Sequence, residues 1–252
     1  MGDDNTEQKK RKFPWKISYS NMTIKDAEKK LGIMMTSLRE EAVSVTDMLS
    51  VHIERVERDV ILKTKEKVYE RILEHFEMEG FPGEEEPDFK EANVNDLVHS
   101  ILSPIVTDFR RQTGRNIRLR REKQIVSMDC ETGGSEEFVM MDVISVTEKN
   151  FVFVIEAKRS SLGQAMKQCL LAMKDMRDKS KKGEVYGFIT TGDDWRMVTY
   201  DGSKFRMTDK FTVLFDTMHR RRDEWMEQYS VLVDCMYVAL NNGGVVTKDM
   251  VA

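Results

Sequence analysis

The sequence predicts an α/β domain, a mixed sheet flanked by helices, preceded by an α-helical, coiled-coil-like segment. Three observations carry this. Phe138–Val146 and Phe151–Ile155 are apolar runs rich in β-branched and aromatic residues that do not alternate with polar ones, as strands covered on both faces would read. Apolar stripes at helical spacing lie on either side: Val94, Leu97, Val98, Ile101, Leu102, Ile105 and Phe109 before, and Leu162, Ala165, Met166, Cys169, Met173 and Met176 after. Finally, Leu31, Met35, Leu38, Ala42, Val45 and Leu49 recur at near-heptad spacing, with neither Gly nor Pro between Gly32 and Gly80.

Composition narrows the function classes. The 252 residues suit one medium domain with an added element, and the net charge of −4 excludes a polycation, so nucleic-acid affinity must come from local patches. Three widely spaced cysteines, Cys130, Cys169 and Cys235, fit reduced thiols and an intracellular setting; four scattered histidines disfavour a His-based metal site. No apolar run has transmembrane length, so no membrane association is expected.

In chain order, residues 1–22 read as a disordered, basic tail. Lys9-Lys10-Arg11-Lys12 is either a nuclear-import signal, a phosphate-binding arm or a solvated run, which leaves nucleus or cytoplasm open. Phe13-Pro14-Trp15 can anchor the tail. Residues 23–80 form the helical segment. If unbroken it would be on the order of 80 Å long, with a four-residue slip of the seam at Ile53 and Val56. It either pairs two chains or packs as a helical layer on its own core, and a narrow stripe that needs a partner favours a homodimer. A linker at 81–90, rich in Pro, Gly and Glu, leads to the core at 91–242.

The core opens with a helix from Glu91 to Arg111, kinked at Pro104. Arg110–Lys123 is strongly basic and includes a strand. Arg115, Arg118, Arg120, Arg121 and Lys123 are candidate phosphate contacts or simply a solvated face. Asp129–Glu137 reads as a loop. After the two apolar strands, Ser160 caps a helix to about Lys179. Strands follow at Val185–Thr190, Trp195–Tyr200, Lys204–Met207 and Phe211–Phe215, then a closing helix from Arg220 to Leu240.

Three ionisable residues stand out in the hairpin. If the turn centres on Lys149, Asp142 lies directly opposite Glu156, and Lys158 shares their face. Two carboxylates in an apolar sheet repel unless a cation sits between them, and a hard divalent ion needs little more than these and a backbone carbonyl such as that of Ala157. Lys158 could then orient or deprotonate a water. The competing reading is a solvated Asp and a Glu–Lys pair with no chemistry. A one-residue slip would separate the acids, so everything depends on the turn.

Asp142, a turn, Glu156-Ala157-Lys158 and a following helix resemble the PD-(D/E)XK nuclease superfamily, the restriction-endonuclease-like fold, over about residues 91–216. Met141 stands where the naming motif has Pro. The resemblance implies that Asp142 and Glu156 bind Mg²⁺ or Mn²⁺ and that Lys158 assists the water. It also implies supporting roles for Gln168, whose Gln-x-x-x-Tyr pattern has Ala172 at the last position, and for Glu91 as an acid on the first core helix. The expected function is metal-dependent phosphodiester hydrolysis on DNA or RNA. The alternative is a catalytically silent nuclease-like scaffold that binds nucleic acid or protein and self-associates.

Overall fold

The computed structural model describes residues 13–50, 57–81, 89–145, 147–180 and 183–245. The basic run Lys9–Lys12, the seam residues Ile53 and Val56 and most of the expected linker lie outside the described residues. One eight-stranded mixed sheet organises the chain: β1 (Ile17–Ser18), β2 (Ile117–Val126), β3 (Thr132–Val143), β4 (Lys149–Ala157), β5 (Val185–Thr190), β6 (Asp194–Tyr200), β7 (Phe205–Met207) and β8 (Phe211–Thr212). Their order is β1-β3-β4-β5-β6-β7, with β2 beside β3 and β8 beside β6. The pairs β1–β3 and β4–β5 are parallel, and the others are antiparallel.

Helices cover both faces, which is why the central strands do not alternate. On one face α4 (Arg58–Glu79), α5 (Glu91–Thr113) and α8 (Val231–Asn242) pack with Phe138, Met140, Phe153, Ile155 and Trp195. On the other, α1 (Ile24–Leu31), α2 (Met35–Glu40) and α6 (Leu162–Ser180) pack with Val139, Val154, Ile189 and Val198. The stripe of α5 from Val94 to Phe109 is fully buried, each side chain contributing about 1.5–3 kcal/mol against the entropy of ordering it. Gly114, at φ 69° in the left-handed region, ends that helix. Among the described residues no helix is long and apolar enough to cross a membrane.

The helical segment differs from a continuous coiled coil. It is cut into α1, α2, α3 (Val45–Leu49) and α4, and Leu31, Met35 and Leu38 of the seam are buried in their own chain. Local signals cut it: Gly32 takes φ 72° at the end of α1, while Thr23 and Ser44 accept from the backbone N–H of Asp26 and Asp47 and so start new helices. The closing helix is also interrupted. A 3₁₀ turn at Met218–Arg220 and α7 (Arg222–Glu224) lead into a π turn at Trp225–Tyr229, where Ser230 N–H donates to Trp225 O, before α8.

The hairpin register corrects the expected one. Phe138 pairs with Ile155 and Met140 with Phe153. A bulge follows at Met140/Met141, and Asp142 pairs with Asn150, not Glu156. The turn closes earlier than Lys149, where Ser145 N–H and Ile144 N–H both donate to Glu148 O. The expected loop before Phe138 is strand from Thr132 on. Gly133 and Gly134 let aromatic rings lie against it: a Cβ at Gly133 would sit 2.7 Å from the Trp15 ring, and one at Gly134 would collide with Tyr19.

Candidate active site

The side chains of interest gather where β3 parts from β4 while still paired with β2. β3 pairs with β4 only from Phe138 on and with β1 only at Thr132 and Gly133, so Gly134 to Glu137 lie in a fork between β1 and β4. Just past the last β3–β4 pair, Phe138 with Ile155, come Glu137 on β3 and Glu156 on β4. Lys158 leaves β4 with its N–H bound to Thr190 O at 3.0 Å. Its Nζ donates to Glu91 Oε1 at 2.7 Å and to Glu137 Oε1 at 3.3 Å. From α6, Gln168 Nε2 donates to Glu156 Oε2 at 2.8 Å; from α5, Asn95 Nδ2 donates to Glu137 Oε2 at 2.8 Å. Glu136 and Lys158 also line an open cleft of ≈ 470 Å³ that runs from here to the N-terminal segment.

The electrostatics are those of buried acids gathered around one charged lysine, Lys158. Glu136 and Glu156 are buried at 2% and 1% exposure. Burial, followed by the neighbouring Glu156 charge, pushes Glu136 well above the ordinary carboxylate value. Burial also raises Glu156, although its contact with Glu136, the Lys158 charge and the Gln168 hydrogen bond oppose the rise. Burial works to lower Lys158, but the Glu91 hydrogen bond and the Glu156 and Glu137 charges outweigh it, so the ammonium is held charged. Cys169, next to Gln168, is buried, and its thiol is pushed well above its usual value by burial and by Glu156 and Glu136. It is therefore not a nucleophile.

Three buried acceptor oxygens in this region, Glu156 Oε1, Glu136 Oε2 and Asn95 Oδ1, have no hydrogen-bond partner. A buried acceptor without a donor is costly, and a proton or a cation relieves it. Among the described residues no group of three or more His, Cys, Asp or Glu side chains is gathered to hold a metal by itself. Glu156 and Glu137 offer hard oxygens, which suit a cation such as Mg²⁺ that keeps several waters and takes one or two carboxylates.

Of the residues expected from sequence, Glu91, Glu156, Lys158 and Gln168 converge here, and Ala157 is the buried end of β4, paired with Thr190. Asp142 does not. It pairs with Asn150, six positions from Glu156 along β4, or roughly 20 Å of strand. Arg115 Nη2 lies 2.8 Å from its Oδ2. Arg115 is accordingly structural: it also donates to Leu240 O and Asn241 O at the end of α8. Arg121 stands over the Phe138 ring and reaches Asp96 Oδ1 at 3.4 Å. Arg118 and Arg120 are exposed on β2, and Lys123 of the same strand pairs with Glu136.

Glu137, Glu136 and Asn95 are the residues that sequence reasoning missed. Glu137 directly precedes the apolar run, and a turn placed at Ser145–Glu148 would have set Phe138 opposite Ile155 and so brought Glu137 near Glu156. Among known proteins, no family model matches the chain, and no curated protein matches it.

Proposed function

We propose that the chain is a divalent-metal-dependent nuclease of the PD-(D/E)XK kind that its hairpin resembles, with Glu137 in the place first given to Asp142. The observation that supports this reading is the Lys158 ammonium between Glu91 and Glu137, beside the buried Glu156–Gln168 pair. Glu156 and Glu137 would hold Mg²⁺ or Mn²⁺, which supplies Lewis-acid stabilisation of the phosphate and a more acidic water. Gln168 holds the Glu156 carboxylate through Oε2 and leaves Oε1 without a hydrogen-bond partner, so that this oxygen would be available to the ion; Asn95 holds Glu137 through Oε2, while its Oε1 accepts from Lys158. Lys158, being charged, acts as a donor that orients the attacking water or offsets phosphate charge, not as a general base. Glu91 positions its Nζ. Arg118 and Arg120, in register with Met141 and Val139, would hold the nucleic-acid backbone further along the sheet from the site. Leu31, Met35 and Leu38, three residues of the seam that would pair two chains, are buried within one chain.

The test is Mn²⁺-dependent nicking of single- and double-stranded DNA and RNA by wild type and by Lys158→Ala and Glu137→Gln. Loss of a positioned catalytic group typically costs about 10²–10⁴-fold in rate. Wild-type protein that binds nucleic acid in a salt-dependent way and cuts none of these substrates is a scaffold, and the nuclease reading fails.

A further inference from the structure

The far end of the cleft is aromatic. Phe13 and Trp15 stack with ring centroids 4.9 Å apart and planes at 21°, and Phe13 is 55% exposed. Both line the same cleft as Glu136, Lys158 and Gln168. The pair is carried on an anchored strap. Ile17 and Ser18 pair with Thr132 and Gly133, and Tyr19 donates to Asp175 at 2.6 Å. The buried Lys167 donates to Ser20 O and Met22 O at 2.9 and 2.7 Å. Glycine at position 133 is what lets the Trp15 ring lie on β3. Trp15 is half-buried against β3, but Phe13 stands on it exposed and packs none of the core, so folding alone does not account for Phe13 on so well-fixed a segment.

From this we infer that Phe13 and Trp15 form a stacking platform for an unpaired nucleobase, one whose strand lays a phosphate at Lys158. This deepens the nuclease reading and rests on it for the nature of the ligand. Bases in a duplex already stack on each other, so a platform in a cleft favours single strands or frayed ends. Charge agrees: in the sequence, Lys9-Lys10-Arg11-Lys12 runs directly before Phe13, as befits a segment that meets a polyanion.

The test uses the full chain without divalent metal, so that binding is read apart from cleavage. The probes are oligothymidylate, an abasic strand of the same length and a blunt duplex, at one fixed low salt concentration. Trp195 and Trp225 are fully buried, so quenching of tryptophan emission on binding reports on Trp15, with Trp15→Phe as the control. Oligothymidylate is expected to quench emission and to bind about 5- to 150-fold more weakly to Phe13→Ala, as the loss of one stacked base predicts. The abasic strand and the duplex should bind Phe13→Ala as they bind wild type. Equal affinity of wild type for oligothymidylate and the abasic strand, or no quenching, overturns the platform. That result leaves cleavage and its dependence on Lys158 untouched, so it is distinct from failure of the nuclease reading. Quenching by a protein that cuts nothing upholds the platform and overturns the nuclease.

Discussion

Lys158 Nζ and Glu137 Oε1 lie 3.3 Å apart, joining the residue that follows β4 to one on β3 at the point where the two strands have parted. The contact ties the lysine to an acid of β3 that a second side chain, Asn95, also holds. It separates the roles of two acids near the hairpin.

Glu137→Gln is expected to lower Mn²⁺-dependent cleavage by at least about 10²-fold while the fold survives. Asp142→Asn is expected to leave the rate unchanged but to lower stability by about 1–3 kcal/mol in urea unfolding, because it weakens a partly buried contact to Arg115. The opposite pattern, activity lost with Asp142→Asn alone, would place the metal at the far end of the hairpin.

Stability should fall as pH rises through the weakly acidic range. Glu136 and Glu156 have folded-state values raised above the ordinary 4.5, so between 4.5 and the raised values the native state holds protons that the unfolded chain has released. Native stability is therefore greatest at the acid end of that window and is lost above it. Glu136→Gln mimics the protonated side chain and can donate to Glu156. It should flatten the slope and raise stability at neutral pH by roughly 1–3 kcal/mol. Parallel pH curves for the mutant and wild type would refute the buried pair as the cause.

Cleavage should show one of these acids, Glu156, from the other side. Bringing Glu156 and Glu137 onto a cation requires the Glu156 carboxylate, so activity is expected to rise with pH over the range in which Glu156 loses its proton. No limb should come from Lys158, whose ammonium is held charged. Mn²⁺ affinity measured calorimetrically over the same pH range should rise in step. Affinity independent of pH would remove Glu156 as a ligand.

Leu38 distinguishes a helical layer from a pairing seam. It is 7% exposed among Met35, Leu31 and the α6 side of the sheet. Leu38→Ala should cost about 2–4 kcal/mol of stability at every protein concentration. An unfolding midpoint that climbs with concentration would instead point to association through this segment.

The sequence alone determined the layer arrangement, because burial on both faces writes non-alternating strands and helical stripes directly into residue order: Phe153 to Ile155, and Val94 to Phe109, lie in the core as their spacing requires. It also carried the half of the site that lies within one short stretch, Glu156 and Lys158, with Gln168 nearly two helix turns into α6. Tertiary structure alone decided which acid joins them. A bulge at Met140/Met141 and a turn ending at Glu148 shift the register, and because side chains in a strand alternate with period two, the partner of a residue is set by the turn and not by its own identity. The same holds for the strap: Gly133-Gly134 reads as a loop until Trp15 and Tyr19, more than a hundred residues earlier, come to rest on it. Such long-range contacts depend on how distant segments pack, which local pattern does not encode.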